Sequence, residues 1–124
     1  MIGATFDTGA LIALERRDSA MLIKLRVLHQ AGVPITIPVN AIVEWWRKGH
    51  GQAAVLALGT VEPLTEHVAQ AAGEALAKVR GSTAVDATVM ASAAQRGDRV
   101  FTSDSKDMQK LQRHFRAVAD IIPV

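Results

Sequence analysis

The sequence predicts an α/β sandwich built on a parallel sheet. Short apolar segments of strand length alternate with amphipathic helical periods along the whole chain. No two-residue hairpin signal such as Asn-Gly joins consecutive strands, so the strands are expected to pair in parallel. Right-handed crossovers would then gather every strand-to-helix turn at one edge of the sheet. In open α/β sheets that carboxyl edge is where ligands bind.

The elements follow in order. Ile2 to Phe6 is a short apolar run and reads as a buried strand. Asp7 ends it and is a candidate N-cap for a helix over Ala10 to Arg16. Asp18 or Ser19 caps the next helix, whose apolar face is Met21, Leu22, Leu25 and Leu28, and Gly32 closes it. Pro34 to Ile37 is a second strand. Pro38 and Asn40 start a helix carrying Glu44, Trp45, Trp46 and Arg47 and stopping at Gly49. Gln52 to Leu58 is a short helix, and Thr60 to Glu62 a third strand before Pro63. Thr65 opens an amphipathic helix with Val68, Ala72, Ala75, Leu76 and Val79 on one side. Thr83 caps an Ala-rich helix that runs to Arg96, with Val85, Val89 and Ala93 inward. Arg99 to Thr102 is the fourth strand. Asp104 caps a helix with Met108, Leu111 and Phe115 on one face, and Val118 to Ile122 is the last strand.

Length and composition narrow the classes. A chain of 124 residues that is 49% apolar is expected to fold as one domain around one core. Cys is absent, which excludes disulfides and thiolate metal sites. The start of the sequence carries no signal-peptide pattern, and no apolar run nears the ~20 residues that span a bilayer. A cytoplasmic protein without membrane partners is expected. The net charge of +2 is compatible with nucleic acid without pointing to it.

The carboxylates carry more information. Asp7 follows the first strand, Asp104 follows the fourth, and Asp86 lies in the first turn of the Ala-rich helix. All three fall at the predicted carboxyl edge. Glu44 lies on the helix after the second strand. Each has an ordinary structural explanation: Asp7 and Asp104 as N-caps, Asp86 as a dipole-compensating acid three residues after Thr83, Glu44 on a solvated helix face. Asp107, three residues after Asp104, admits the same reading. Together they are harder to dismiss, because four of the chain's 12 acids fall at one edge. Two carboxylates ~5 Å apart repel by roughly 3 kcal/mol at an effective dielectric near 20. Such a cluster calls for protonation or a cation. An all-oxygen donor set suits Mg²⁺ or Mn²⁺ better than Zn²⁺, and phosphodiester hydrolysis is a chemistry such ions serve.

Four short segments, Phe6-Asp7-Thr8-Gly9-Ala10-Leu11, Ala41-Ile42-Val43-Glu44, Val85-Asp86-Ala87 and Thr102-Ser103-Asp104, resemble the motifs of PIN-domain nucleases. The likeness is greatest to the VapC-type toxins of bacterial toxin–antitoxin pairs, and it covers essentially the whole chain. The resemblance implies an α/β/α sandwich with a five-stranded parallel sheet and a Mg²⁺- or Mn²⁺-dependent endoribonuclease. It maps the family's acidic quartet onto Asp7, Glu44, Asp86 and Asp104. It maps the hydroxyl before the last acid onto Thr102 or Ser103, with Asp107 as an auxiliary acid. RNA as substrate, a cognate antitoxin and a homodimer are the partners it implies.

Arg80, Arg47 and Lys106 are the main candidates for holding substrate phosphates, followed by Lys48, Arg96 and Arg99. Trp45 and Trp46 point about 100° apart on a helix, so one is expected in the core and the other at a protein interface. Two rival readings are weaker. Asp7-Thr8-Gly9 also matches the aspartic-protease signature, but repeated helical periods contradict an all-β fold. A haloacid-dehalogenase-like phosphatase would need a second Asp where Gly9 stands. A PIN fold that binds without cutting is the alternative from a different class.

Overall fold

In the computed structural model, which describes residues 1–124, the predicted strands form one five-stranded, wholly parallel sheet. The strands are β1 (Ala4–Phe6), β2 (Ile35–Pro38), β3 (Thr60–Glu62), β4 (Arg99–Thr102) and β5 (Asp120–Pro123). Their order is β3-β2-β1-β4-β5. The chain thus starts in the middle, builds outward to β3, then crosses back to lay β4 on the other side of β1. In register, Phe6 stands beside Phe101 and Thr102 beside Pro123.

Seven helices cover the two faces: α1 (Thr8–Glu15), α2 (Ser19–Gln30), α3 (Val39–Trp45), α4 (Gln52–Leu56), α5 (Glu66–Lys78), α6 (Ala84–Arg96) and α7 (Ser105–Gln112). Right-handed crossovers in the two directions put α1 to α4 on one face and α5 to α7 on the other. The packing agrees: α1 lies against α2, α3 and α4, and α6 against α5 and α7. This is the three-layer α/β/α arrangement. A single cluster of 26 buried apolar residues runs through it, with Phe6, Leu11, Ile37, Met90, Val100 and Leu111 wholly enclosed.

Several boundaries differ from the sequence reading: β1 starts at Ala4 and not Ile2, β2 is Ile35–Pro38 and not Pro34–Ile37, α4 ends at Leu56 and not Leu58, and three further differences lie near the helices that flank the site. The first helix begins at Thr8, directly after Asp7, two residues before the expected start at Ala10. The last strand begins at Asp120 because residues 115–119 turn, with the Val118 amide donating to the Phe115 carbonyl. The helix bearing Glu44 ends at Trp45 and does not reach Gly49. The buried side chain of Gln52 captures the chain there. Its Oε1 accepts from the Arg47 and Gly49 amides at 2.9 Å, and its Nε2 donates to the Trp45 carbonyl at 3.0 Å. A polar side chain that satisfies three backbone groups at once competes directly with further helical hydrogen bonds.

One helix is more enclosed than its pattern suggested. Every residue of α6 from Asp86 to Ala93 is buried, because the sheet, α5 and α7 surround it. Of the two tryptophans, Trp45 is in the core and its indole donates to Glu15 at 2.9 Å, whereas Trp46 is 37% exposed. No helix is long and apolar enough to cross a membrane.

Candidate metal centre

The strand order reverses beside β1, between β1 and β4, and the acids stand at the carboxyl ends of these two strands. Asp7 is held there by its own backbone. Its amide donates to the Phe101 carbonyl at 3.0 Å, which extends the β1–β4 ladder by one step. Its carbonyl then accepts the first helical bonds of α1, from Ala10 and Leu11. The side chain is left only 2% exposed, aimed into the crevice.

Thr102, wholly buried at the end of β4, joins two of the acids. Its hydroxyl donates to Asp7 Oδ2 at 2.8 Å and accepts from the Asp104 amide at 2.9 Å. This fixes the Asp7 carboxylate and the backbone turn that presents Asp104. Asp86 arrives from α6. Thr83 caps that helix, accepting from the Asp86 amide at 3.1 Å, so the expected cap is present and its acid lies one turn in. Carboxylate oxygens of Asp7, Asp86 and Asp104 lie within 4.8 Å of one another.

The structural explanation for two of these acids fails on inspection. Asp7 and Asp104 do occupy N-cap positions, yet neither side chain makes a capping hydrogen bond. Asp18 shows what a capping Asp does in this chain: its Oδ2 accepts from the Met21 amide at 2.9 Å. The carboxylates of Asp7 and Asp104 face the crevice instead. Three helix N-termini, of α1, α6 and α7, meet there, and their partial positive charge offsets some of the repulsion.

Glu44 is exposed at the rim. It lines the crevice together with Asp7, Asp86 and Asp104 but stands outside the tight group of three. Its helix is tied to the site by Thr8, whose hydroxyl donates to the Ala41 carbonyl at 3.1 Å. Asp107 and Ser103 also line the crevice, which encloses about 230 Å³. Asp107 also pairs with Lys110, 3.7 Å distant, at the exposed surface.

No Lys or Arg lines this crevice, and the acids feel it. Burial, reinforced by the charges of Asp7, Asp104 and Glu44, pushes the Asp86 carboxyl up to about 7, against a weaker opposing pull from Thr83. Asp7 is also raised, first by burial and then by Asp104 and Glu44, although the Thr8 amide and Thr102 hydroxyl pull the other way. A divalent cation would remove both penalties. Carboxylate oxygens within 4.8 Å of one another are close enough for a single divalent ion to be held among them once the side chains draw in. Three carboxylates without nitrogen or sulfur are the donor set that hard cations take.

The basic candidates divide by position. Lys106 is exposed on the first turn of α7, on the same surface as Ser103, Asp104 and Asp107. Arg80 is exposed in the turn before α6, and Arg47 donates to the neighbouring Trp46 carbonyl; neither lines the crevice. Arg96 and Arg99 belong to the far, amino end of the sheet. Arg96 is consumed there by Asp98, Glu62, Thr5 and Ser92. That assignment corrects its place among the phosphate-binding candidates.

Three contributors escaped the sequence reading as site residues: Thr8, which anchors the helix of Glu44; Thr83, which lines the crevice as well as capping α6; and Gly9. A Cβ on Gly9 would lie 2.7 Å from the Ser103 amide nitrogen, so only glycine lets α1 press against the segment that carries Thr102 and Asp104. Thr83 was visible as a cap. Thr8 and Gly9 stand in the motif around Asp7, but their partners, Ala41 and Ser103, are distant in sequence, so the motif does not show what they hold. No protein-family model matches the chain, and no curated protein matches it.

Proposed function

We propose that the chain is a Mg²⁺- or Mn²⁺-dependent endoribonuclease of the PIN type, acting through Asp7, Asp86 and Asp104 with Glu44 at the rim. One observation carries this reading: three carboxylates from three helix N-termini converge at the sheet's switch point with no cationic side chain among them. The motif resemblance supplies the nuclease chemistry and the RNA substrate.

Asp7, Asp86 and Asp104 would hold the ion. A bound divalent ion supplies positive charge that polarises a phosphoryl oxygen and acidifies a water. Thr102 keeps Asp7 oriented through Oδ2 and leaves Oδ1 for the crevice. Glu44 and Asp107 stand where they can accept a proton or orient a water near the scissile linkage. Lys106, beside Asp107, faces solvent where a phosphate would approach.

A toxin role, a cognate antitoxin, a homodimer and a cytoplasmic location rest on the same resemblance. The 74%-exposed Val43, beside Glu44 on α3, and the exposed Trp46 just past the end of that helix suit a protein contact near the site.

The test is cleavage of a mixed RNA substrate with Mg²⁺ or Mn²⁺ and with EDTA, beside the Asp86→Ala variant. Cleavage should require the metal, and the variant should fall to the EDTA background while keeping its helical spectrum. Metal-independent cleavage, or full activity in the variant, overturns the assignment. Metal binding by calorimetry without cleavage of any RNA points to a binding module.

A further inference from the structure

The acidic crevice does not end at the acids. Gly9, Ile12 and Ser103 line it and also line a second depression of about 440 Å³ that continues along α1 to Arg16. The two depressions adjoin at these shared residues and make up a trough that is pinched where Gly9 meets Ser103. Gly9, Ile12, Ala13 and Arg16 follow one another at helical spacing, so they present a single face of α1 to it. From Gly9 to Arg16 the helix rises ~10 Å. The trough therefore runs from a cluster of anions, over a small apolar floor, to a lone cation.

Arg16 is exposed and forms no ion pair. The acid nearest it in the groove, Asp18, has a carboxylate oxygen committed to capping α2. Gly9 fixes the geometry of the trough, since any side chain there would push α1 away from Ser103. A polynucleotide whose scissile phosphate sits at the acids carries its neighbouring phosphates along such a path. The groove has room on the scale of a nucleotide, not of a duplex.

We propose that this groove is the subsite for the single-stranded RNA flanking the cleaved linkage, and that Arg16 binds a phosphate of that strand. The inference rests on the ribonuclease reading above and adds to it a direction for the bound chain, along α1 and toward its C-terminal end. Arg16 is a binding residue: it determines where the strand lies, while the acids determine what happens to it.

The experiment measures fluorescence anisotropy of a fluorescein-labelled RNA octamer in the non-cleaving Asp86→Ala background. Arg16→Ala and Arg16→Glu are added in turn, and Arg99→Ala, at the opposite end of the sheet, serves as the control. Arg16→Ala should weaken binding about tenfold, in the range for a charge-assisted contact, and lower the salt slope by about 0.7. Arg16→Glu should weaken it further, and Arg99→Ala should leave it unchanged. In the otherwise wild-type protein, Arg16→Ala should raise KM and spare kcat. Equal affinity and salt slope in all four proteins, or no octamer binding by the parent, overturns the assignment. Wild-type cleavage indifferent to Arg16→Glu overturns it too and leaves the nuclease reading standing. Arg16-dependent binding without wild-type cleavage does the reverse.

Discussion

The sheet carries a buried carboxylate at each end, and the chain treats the two differently. At the amino end, Asp98 is 3% exposed; at the carboxyl end, Asp7 is 2% exposed. Each accepts a hydrogen bond from a threonine of a central strand: Thr5 to Asp98 at 2.7 Å, Thr102 to Asp7 at 2.8 Å. There the likeness stops. Arg96 donates to Asp98 at 2.8 Å and extends to Glu62, Thr5 and Ser92. Asp7 meets two further acids and no base. This chain pairs a buried acid with an arginine where the acid is structural. At the carboxyl edge the same need is left open, and an ion from solution is the partner that fits it.

Removing the arginine would make the two ends alike. Arg96→Ala leaves Asp98 buried without a cation, which should cost about 3 kcal/mol or more, read as a fall in the urea midpoint. A change below ~1 kcal/mol would mean that the amino-end network is not the charge compensation described here.

pH sharpens the contrast next. Asp86 titrates near 7 in the folded protein, against 3.8 as the ordinary value. The folded state thus holds its proton more tightly than the unfolded chain, so metal-free stability falls as pH rises from 4 through 7. The expected loss is roughly 2–4 kcal/mol. Asp7, also raised, adds in the same direction. Mg²⁺ at a hundredfold excess over its Kd should return about 2.7 kcal/mol, at pH 8 and not at pH 5, where protons occupy the site. Thermal melts across pH with Mg²⁺ and with EDTA read this directly. A metal-free protein that is as stable at pH 8 as at pH 5 contradicts the open-site description.

The smallest effect tests the shared hydroxyl. Thr102→Val keeps the shape but removes the donor to Asp7 and the acceptor for the Asp104 amide. About 1–2 kcal/mol of stability should be lost, with weaker metal affinity by calorimetry. Unchanged metal affinity would show that Asp7 needs no help in holding its orientation.

How much of this was legible follows from which forces are local. Strand and helix periods are written in neighbouring residues, so all five strands and the Thr83 cap could be read from the sequence. The acids at strand ends were readable once parallel pairing was assumed, because topology alone then places them at one edge. What separates Asp7 from Asp18 was not readable: both precede helices, and only the fold decides that one carboxylate caps and the other does not. The Arg96–Asp98–Thr5 network joins residues up to 93 positions apart. The pattern Ala91-Ser92-Ala93 could not show that α6 is enclosed, since small side chains fit a crowded helix and an exposed one equally well. Gln52 read only as the start of a short helix, and its capture of the loop, through the Arg47 and Gly49 amides and the Trp45 carbonyl, shortened α3.

The enclosure of α6 has a consequence in time. The stretch of α6 covered by the sheet and by its neighbours, Asp86 to Ala93, should be among the slowest amides to exchange with solvent, at rates set by unfolding of the whole molecule. Asp86 rides on the buried part of that helix. The exposed rim that carries Glu44 can fluctuate on fast timescales, while the floor beneath it stays closed for as long as the protein stays folded.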